Sequence, residues 1–260
     1  MDEIDNVKVF HDTQKQTREK YPADVNDVEY YNGVDRVEAS EELTPITMIH
    51  GGTVNTGYSY ADTNKVAILN FADAIKFGGW VEHGAQTQEE NICRCSNLYP
   101  TLANEKSAEE YYIPNSRFGN HIYTDRIIYS RDITVFKDDE TYENIEPRQM
   151  DVITCPAPST VLPDNEAIQI YRARLEQIIL SAIVNEAECI VLGAWGCGAF
   201  GQSPDLVARA FADVLNNYGG KFKKIVFAIR PTYGEAISTT YRMFDTVINK
   251  YYEGGVIYEE

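Results

Sequence analysis

The sequence predicts an α/β fold in which helices cover both faces of a central sheet. Ile190-Val191-Leu192 and Ile225-Val226-Phe227-Ala228-Ile229 are continuously apolar, as strands are when both their faces are buried. In the C-terminal half such strands alternate with long helical stretches, the rhythm of a sheet sandwiched between helices. Glycine clusters at Gly78-Gly79 and over 193–201 each stand between a strand and a helix.

Residues 1–43 are polar and charged, with a helix expected over 7–20 that Pro22 helps to end. They read as an N-terminal helical extension packed on a main domain of residues 44–260. Strands follow at Ile46–Ile49 and 66–70, and helical character runs from near Thr87 to about Leu98. Residues 100–120 hold Pro, Asn, Gly and Ser without a period and read as a long loop. Strands are expected at 127–129, 133–136 and 151–154, with 137–146 as an acidic connection. Then come a helix over 165–186, a strand at Cys189–Leu192, the glycine loop and a helix over Pro204–Tyr218. Ser203 as N-cap and Pro204 in the first turn mark that helix's start. A strand at 224–229 and a final helix near 234–251 complete the chain.

A chain of 260 residues with 43% hydrophobic content can bury a sizeable core. No apolar run approaches the roughly 20 residues that span a bilayer, and the acidic start Met1-Asp2-Glu3-Ile4-Asp5 lacks a secretory apolar stretch. Five cysteines, an odd number without CxxC spacing, read as reduced thiols in the cytoplasm. A net charge of −17 argues against nonspecific DNA or RNA binding, which needs Lys and Arg at phosphates. Histidines 11, 50, 83 and 121 form no metal-ligand spacing. Cys93, Cys95 and His83 receive neither a metal nor a nucleophile role.

The densest chemistry lies between Gly78 and Glu90. A glycine pair lets backbone approach a ligand closely, and Gln88-Glu89-Glu90 puts two carboxylates at a helix start. Thr87 through Glu90 is also a capping box, with Thr87 as N-cap and Glu90 folded back; both readings stand at this level. Adjacent helical residues diverge by about 100°, so Glu89 and Glu90 cannot flank one bond as most glycosidase carboxylates do. In the second cluster, glycines 193, 196, 198 and 201 expose N–H groups near a helix N-terminus. That suits a diphosphate; the alternative is a tight turn with no ligand.

The spacing resembles the signature loop of the bacterial-type poly(ADP-ribose) glycohydrolases, of the macrodomain class: three glycines, a spacer of six to eight residues, then Gln-Glu-Glu. Here seven residues separate Trp80 from Gln88, and Trp80 stands in the third glycine's place. Asn70-Phe71-Ala72-Asp73-Ala74, Tyr123 to Ser130, Thr154-Cys155-Pro156-Ala157-Pro158 and 193–201 resemble further family segments, in the family's order. The resemblance implies a macrodomain-like α/β/α sandwich with a mixed central sheet. It implies Glu90 as general acid and then base, Glu89 on the ribose hydroxyls and Gln88 holding the loop. Gly78, Gly79 and Trp80 would border the ligand, and Asn70 and Asp73 would approach its ribose, although an Asx-turn role suits Asp73 equally. Gly196, Cys197, Gly198, Ala199 and Gly201 would offer backbone to the diphosphate, and Phe200 would press on the distal ribose or simply pack.

The implied activity is exo-type hydrolysis of the ribose–ribose bond, releasing ADP-ribose, with no metal and no cofactor. The implied partners are ADP-ribose polymer or ADP-ribosylated protein, with no sequence-specific nucleic-acid binding, no membrane and a monomeric state. Two alternatives remain: an ADP-ribose-binding macrodomain without turnover, for which Trp80 argues, and a hydrolase of mono-ADP-ribosyl conjugates. The intact carboxylate pair argues against pure binding.

Overall fold

A computed structural model of the protein describes residues 4–231 and 238–258. Helix α1 (Asn6–Glu19), capped by the Asp5 side chain, precedes strand β1 (Val28–Tyr31). Strand β2 (Ile46–Ile49), helix α2 (Thr53–Tyr60), strand β3 (Val66–Phe71) and helix α3 (Gln88–Cys95) follow. Short helices α4 (Tyr99–Leu102), α5 (Glu105–Ser107) and α6 (Ile113–Arg117) lead to the long strands β4 (Ile127–Lys137) and β5 (Asn144–Cys155). Helix α7 (Asp164–Val184), β6 (Cys189–Leu192), α8 (Pro204–Tyr218), β7 (Lys224–Ala228), α9 (Thr239–Tyr251) and β8 (Val256–Tyr258) complete the order.

The eight strands form one mixed sheet in the order β1-β4-β5-β3-β6-β7-β2-β8. β1 and β5 pair with β4 antiparallel, and every pairing from β5 to β8 is parallel. Successive β3 residues feed opposite cores. Ala67 and Leu69 pack with α7, α8 and α9, whereas Val66 and Ile68 pack with α1, α2 and α3. This period-2 division of the apolar run Val66–Leu69 makes the three layers.

Several expectations need correction. Residues 100–120 are not a long loop: they hold α4–α6 with a π-helical turn at Ala108–Tyr112, and Tyr111 and Tyr112 are buried. Pro100 and Pro114, which read as breakers, lie in first turns of helices, where proline lacks only a donor that would be unpaired anyway. The two strands expected over 127–136 are one, with a register shift between Ser130 and Ile133. Asp132 takes φ 50° at that bulge, and the buried Asp151 accepts its N–H at 3.0 Å and the Tyr129 hydroxyl at 2.8 Å. Helix α2 went unread because Gly57 interrupts it; a Cβ there would fall 2.7 Å from Met150 Sδ and 2.8 Å from Ile68 Cγ2. Edge strands β1 and β8 also went unread. The start expected at 234 lies outside the described residues, and α9 begins at Thr239 with Ser238 accepting from the Tyr241 N–H.

Helix α1 is built into the core beside α3. The Thr13 hydroxyl donates to Arg94 O at 2.5 Å, and Phe10 meets Tyr99 edge-on with ring centroids 5.0 Å apart.

Candidate active site

The parallel strands end on one side of the sheet, and a cavity of about 600 Å³ opens there, the usual ligand position in open α/β sheets. Its walls are the segments following β2, β3, β5, β6 and β7, together with the head of α3.

Gln88 fixes that head. Its Oε1 accepts the Phe71 N–H at 2.8 Å, and its Nε2 donates to Leu69 O at 2.7 Å and to Thr53 Oγ1 at 3.1 Å. The amide thus extends the hydrogen-bonding of β3 and ties α3 to the sheet. Glu89 Oε1 accepts from Asn70 Nδ2 at 3.1 Å, and Oε2 from the Asp73 N–H at 2.7 Å. Burial pushes its carboxyl well above the usual carboxylate range, and the charges of Asp73 and Glu90 add to that rise. The two hydrogen bonds oppose it without cancelling it.

Glu90 points elsewhere. Its Oε1 accepts the Trp80 N–H at 2.9 Å, and its Oε2 accepts the Thr87 hydroxyl. The capping box therefore does not form. Thr87 is the N-cap by backbone only, and its hydroxyl donates to the carboxylate instead of accepting from the helix.

Both glycines of the pair are conformationally required. Gly78 and Gly79 adopt φ 59° and 63°, where a side chain is strained. A Cβ on Gly79 would lie 2.3 Å from Glu90 Oε1 and 3.2 Å from Glu89 Oε2; one on Gly78 would strike the Tyr99 ring at 2.9 Å. Trp80 has φ −104°, so its position does not need glycine. Trp80 lines the cavity, and its indole carries the Lys76 ammonium over the ring and the His83 ring edge-on at 5.1 Å.

The loop after β6 is rigid first and open later. A Cβ on Gly193 would lie 2.7 Å from Ala228 O, and one on Gly196, at φ 80°, would lie 2.2 Å from the Tyr171 hydroxyl. Between them Trp195 is buried and donates its indole N–H to Cys155 O at 3.2 Å. Gly198 and Ala199 are exposed at the cavity, and a Cβ on Gly198 would meet nothing within 4 Å. Phe200 is half-buried: it lines the cavity and also packs against the core.

Of the residues singled out in the sequence, Gln88, Glu89, Glu90, Asp73, Trp80, Gly196, Cys197, Gly198, Ala199 and Phe200 line this one cavity. Asn70, Gly78, Gly79 and Gly201 do not. Asn70 is fully buried behind Glu89. Asp73 does close an Asx turn, accepting from the Ile75 and Lys76 N–H groups at 2.7 and 2.9 Å.

Asp139 and Arg230 also line the cavity, and neither was among the site residues expected from the sequence. Asp139, in what had read as a solvated acidic connection, is buried and ion-paired with Arg230 at 2.7 Å. Its Oδ2 accepts the Asn55 N–H at 3.2 Å, and its carbonyl accepts from Asn91 Nδ2 at 3.2 Å. Burial raises its carboxyl even though the Arg230 charge lowers it. Gly52 makes room for the pair, since a Cβ there would lie 2.1 Å from Asp139 Oδ2. The Gly51-Gly52 pair directly after a strand was the available signal. Among the described residues no group of three or more His, Cys, Asp or Glu could hold a metal ion.

A three-layer α/β/α fold with a mixed sheet, a carboxylate-headed helix and a glycine loop at the strands' ends defines a protein of the macrodomain class. The family model for the microbial-type PARG catalytic domain matches residues 4–138. The chain belongs to that family. Its structure is similar to poly(ADP-ribose) glycohydrolase from Thermomonospora curvata bound to the inhibitor ADP-HPD, with 27% identity and TM-score 0.80, covering 93% of this chain and 98% of that one. It is also similar to poly(ADP-ribose) glycohydrolase from Deinococcus radiodurans in complex with ADP-ribose, with 30% identity and TM-score 0.74, covering 82% of this chain and 86% of that one. Comparison with curated proteins finds no significant match.

Proposed function

We propose that this protein is a poly(ADP-ribose) glycohydrolase that hydrolyses the terminal ribose–ribose O-glycosidic bond and releases ADP-ribose. The observation that carries the reading is the placement of Glu90. It stands in the first turn of α3 and lines the same cavity as the open backbone of Gly198 and Ala199.

Trp80 N–H can only donate, so Glu90 Oε1 stays an acceptor. The Thr87 hydroxyl can donate to a carboxylate or accept from a carboxylic acid, so the acid's proton sits on Oε2. As the anomeric C–O bond breaks, that proton moves to the departing ribose oxygen. A water then bonds to the anomeric carbon and gives its proton back to Glu90. Glu89, held by Asn70 and the Asp73 N–H, orients the ribose hydroxyls, and the loop at 196–199 receives the diphosphate. Helix α1 buttresses α3, β1 adds an edge strand to the sheet, and we take 44–260 as the catalytic domain. Five cysteines, an odd number without CxxC spacing, support a reducing cytoplasmic location, and we take the working unit as a monomer.

Glu90→Gln tests the assignment. The change keeps the shape but removes the titrating proton, so single-turnover release of ADP-ribose should fall about 10²–10⁴-fold, with calorimetric ADP-ribose affinity retained. A wild-type rate in the variant removes Glu90 from the chemistry.

A further inference from the structure

Trp80 is tied to the proton donor. Its backbone N–H donates to Glu90 Oε1 at 2.9 Å, and the residue lines the cavity while 48% exposed. The side chain is held from two directions. The Lys76 ammonium lies over the ring, and the His83 ring meets it edge-on at 5.1 Å. An accessible aromatic ring fixed by its neighbours is a stacking surface whose ordering cost has already been met in the free protein.

The group that receives a proton from Glu90 is the leaving group, so a residue whose backbone holds the Glu90 carboxyl borders the leaving side. In a ribose–ribose bond of the polymer the departing oxygen is the 2′-oxygen of an adenosine. An adenine therefore lies one sugar away from it. The side chain of a modified protein brings no such base. The ammonium above the indole also supplies local positive charge in a chain of net charge −17, on the side where the next unit's diphosphate continues.

We infer that Trp80, backed by Lys76, forms a leaving-side subsite that stacks the adenine of the penultimate ADP-ribose unit. It selects the polymer terminus over single ADP-ribose groups on protein, and the inference rests on the glycohydrolase reading above. Base–aromatic stacking of this kind corresponds to roughly a tenfold to hundredfold effect.

The test compares kcat/KM for an ADP-ribose dimer and for a matched compound in which a bare ribose replaces the leaving adenosine. Wild type should prefer the dimer. Trp80→Ala should lower that preference about tenfold to hundredfold. Trp80→Leu, which keeps apolar bulk for the loop but has no π-face, should lower it similarly, and Trp80→Phe should keep most of it. Melting curves establish that each variant is folded, and the Leu and Phe pair decides the matter where the Ala variant is not. If both substrates slow by one factor, or if wild type shows no preference, the indole is a loop anchor and the inference fails while the glycohydrolase reading stands. If wild type binds ADP-ribose but cleaves neither compound, the glycohydrolase reading itself fails, and the inference with it.

Discussion

Gly79→Ala separates the placement of Glu90 from its mere presence. The backbone at 79 sits at φ 63°, where an L side chain costs roughly 1–2 kcal/mol. The added methyl would lie 2.3 Å from Glu90 Oε1. Relief requires about 1 Å of carboxylate movement to reach an ordinary contact. That displacement breaks the 2.9 Å bond from the Trp80 N–H, and hydrogen bonds to charged groups contribute about 1.5–3 kcal/mol. A misplacement of about 1 Å in a reacting group can cost on the order of 10²-fold in rate. We therefore expect folded Gly79→Ala to lose about 100-fold in single-turnover rate and about 1–3 kcal/mol in stability by denaturant titration. Product ADP-ribose should bind nearly as before, because on the proposed reading the diphosphate lies against the other loop. Wild-type turnover in a destabilised Gly79→Ala protein would refute the claim that the glycine pair exists to place Glu90.

Gly198→Val should weaken ADP-ribose binding, read by calorimetry, with melting temperature unchanged, since a Cβ there meets nothing within 4 Å; unchanged affinity would place the diphosphate elsewhere. Gly196→Val cannot serve in its place, because the Tyr171 hydroxyl stands 2.2 Å from the new Cβ and the core itself would be disturbed. Glu89→Gln should abolish turnover yet stabilise the fold above the carboxylate range. The Glu89 carboxyl is raised by burial, so wild-type stability declines as pH rises from about 4 through the elevated folded value. The amide has no charge to lose, and it can donate to the unpartnered Asn70 Oδ1 once that side chain flips. Melting curves should therefore diverge with rising pH, the variant being the more stable; a variant less stable at every pH would overturn the argument.

What the sequence revealed follows the range of the forces involved. Helix α8 carries its own start signal in Ser203-Pro204, and its bounds match expectation to the residue. The buried strands announce themselves by apolar runs. Helix α2 does not, because Gly57 is set by contact with Met150 and Ile68, distant in sequence. Tyr111 and Tyr112 likewise turn a Pro- and Asn-rich stretch into core. The same division holds in the cavity. Glu89, Glu90 and the 193–201 loop are local patterns, so they were legible. Asp139 and Arg230 are 91 residues apart, and nothing in either segment names the other.

The charge balance of the cavity ties the two loops to the substrate. Glu89, Glu90, Asp73 and Asp139 face Arg230, the one cation lining the cavity among the described residues, and Asp139 already holds it. A diphosphate therefore has no free side-chain cation to meet inside. What remains is backbone N–H at the 196–199 loop, where a fixed dipole array works at short range. Such a cradle, on the proposed reading, takes one diphosphate and exerts no pull on the next, so an acidic protein can bind a unit of a polyanion without gripping its length. On the proposed reading, discrimination between polymer and other conjugates must then arise on the far side of Glu90, where Trp80 carries an ammonium on its ring. The loss of glycine at that position is tolerated because φ is −104° there. The same backbone that holds the Glu90 carboxyl thus leaves its third position free to vary, on the proposed reading toward the leaving group.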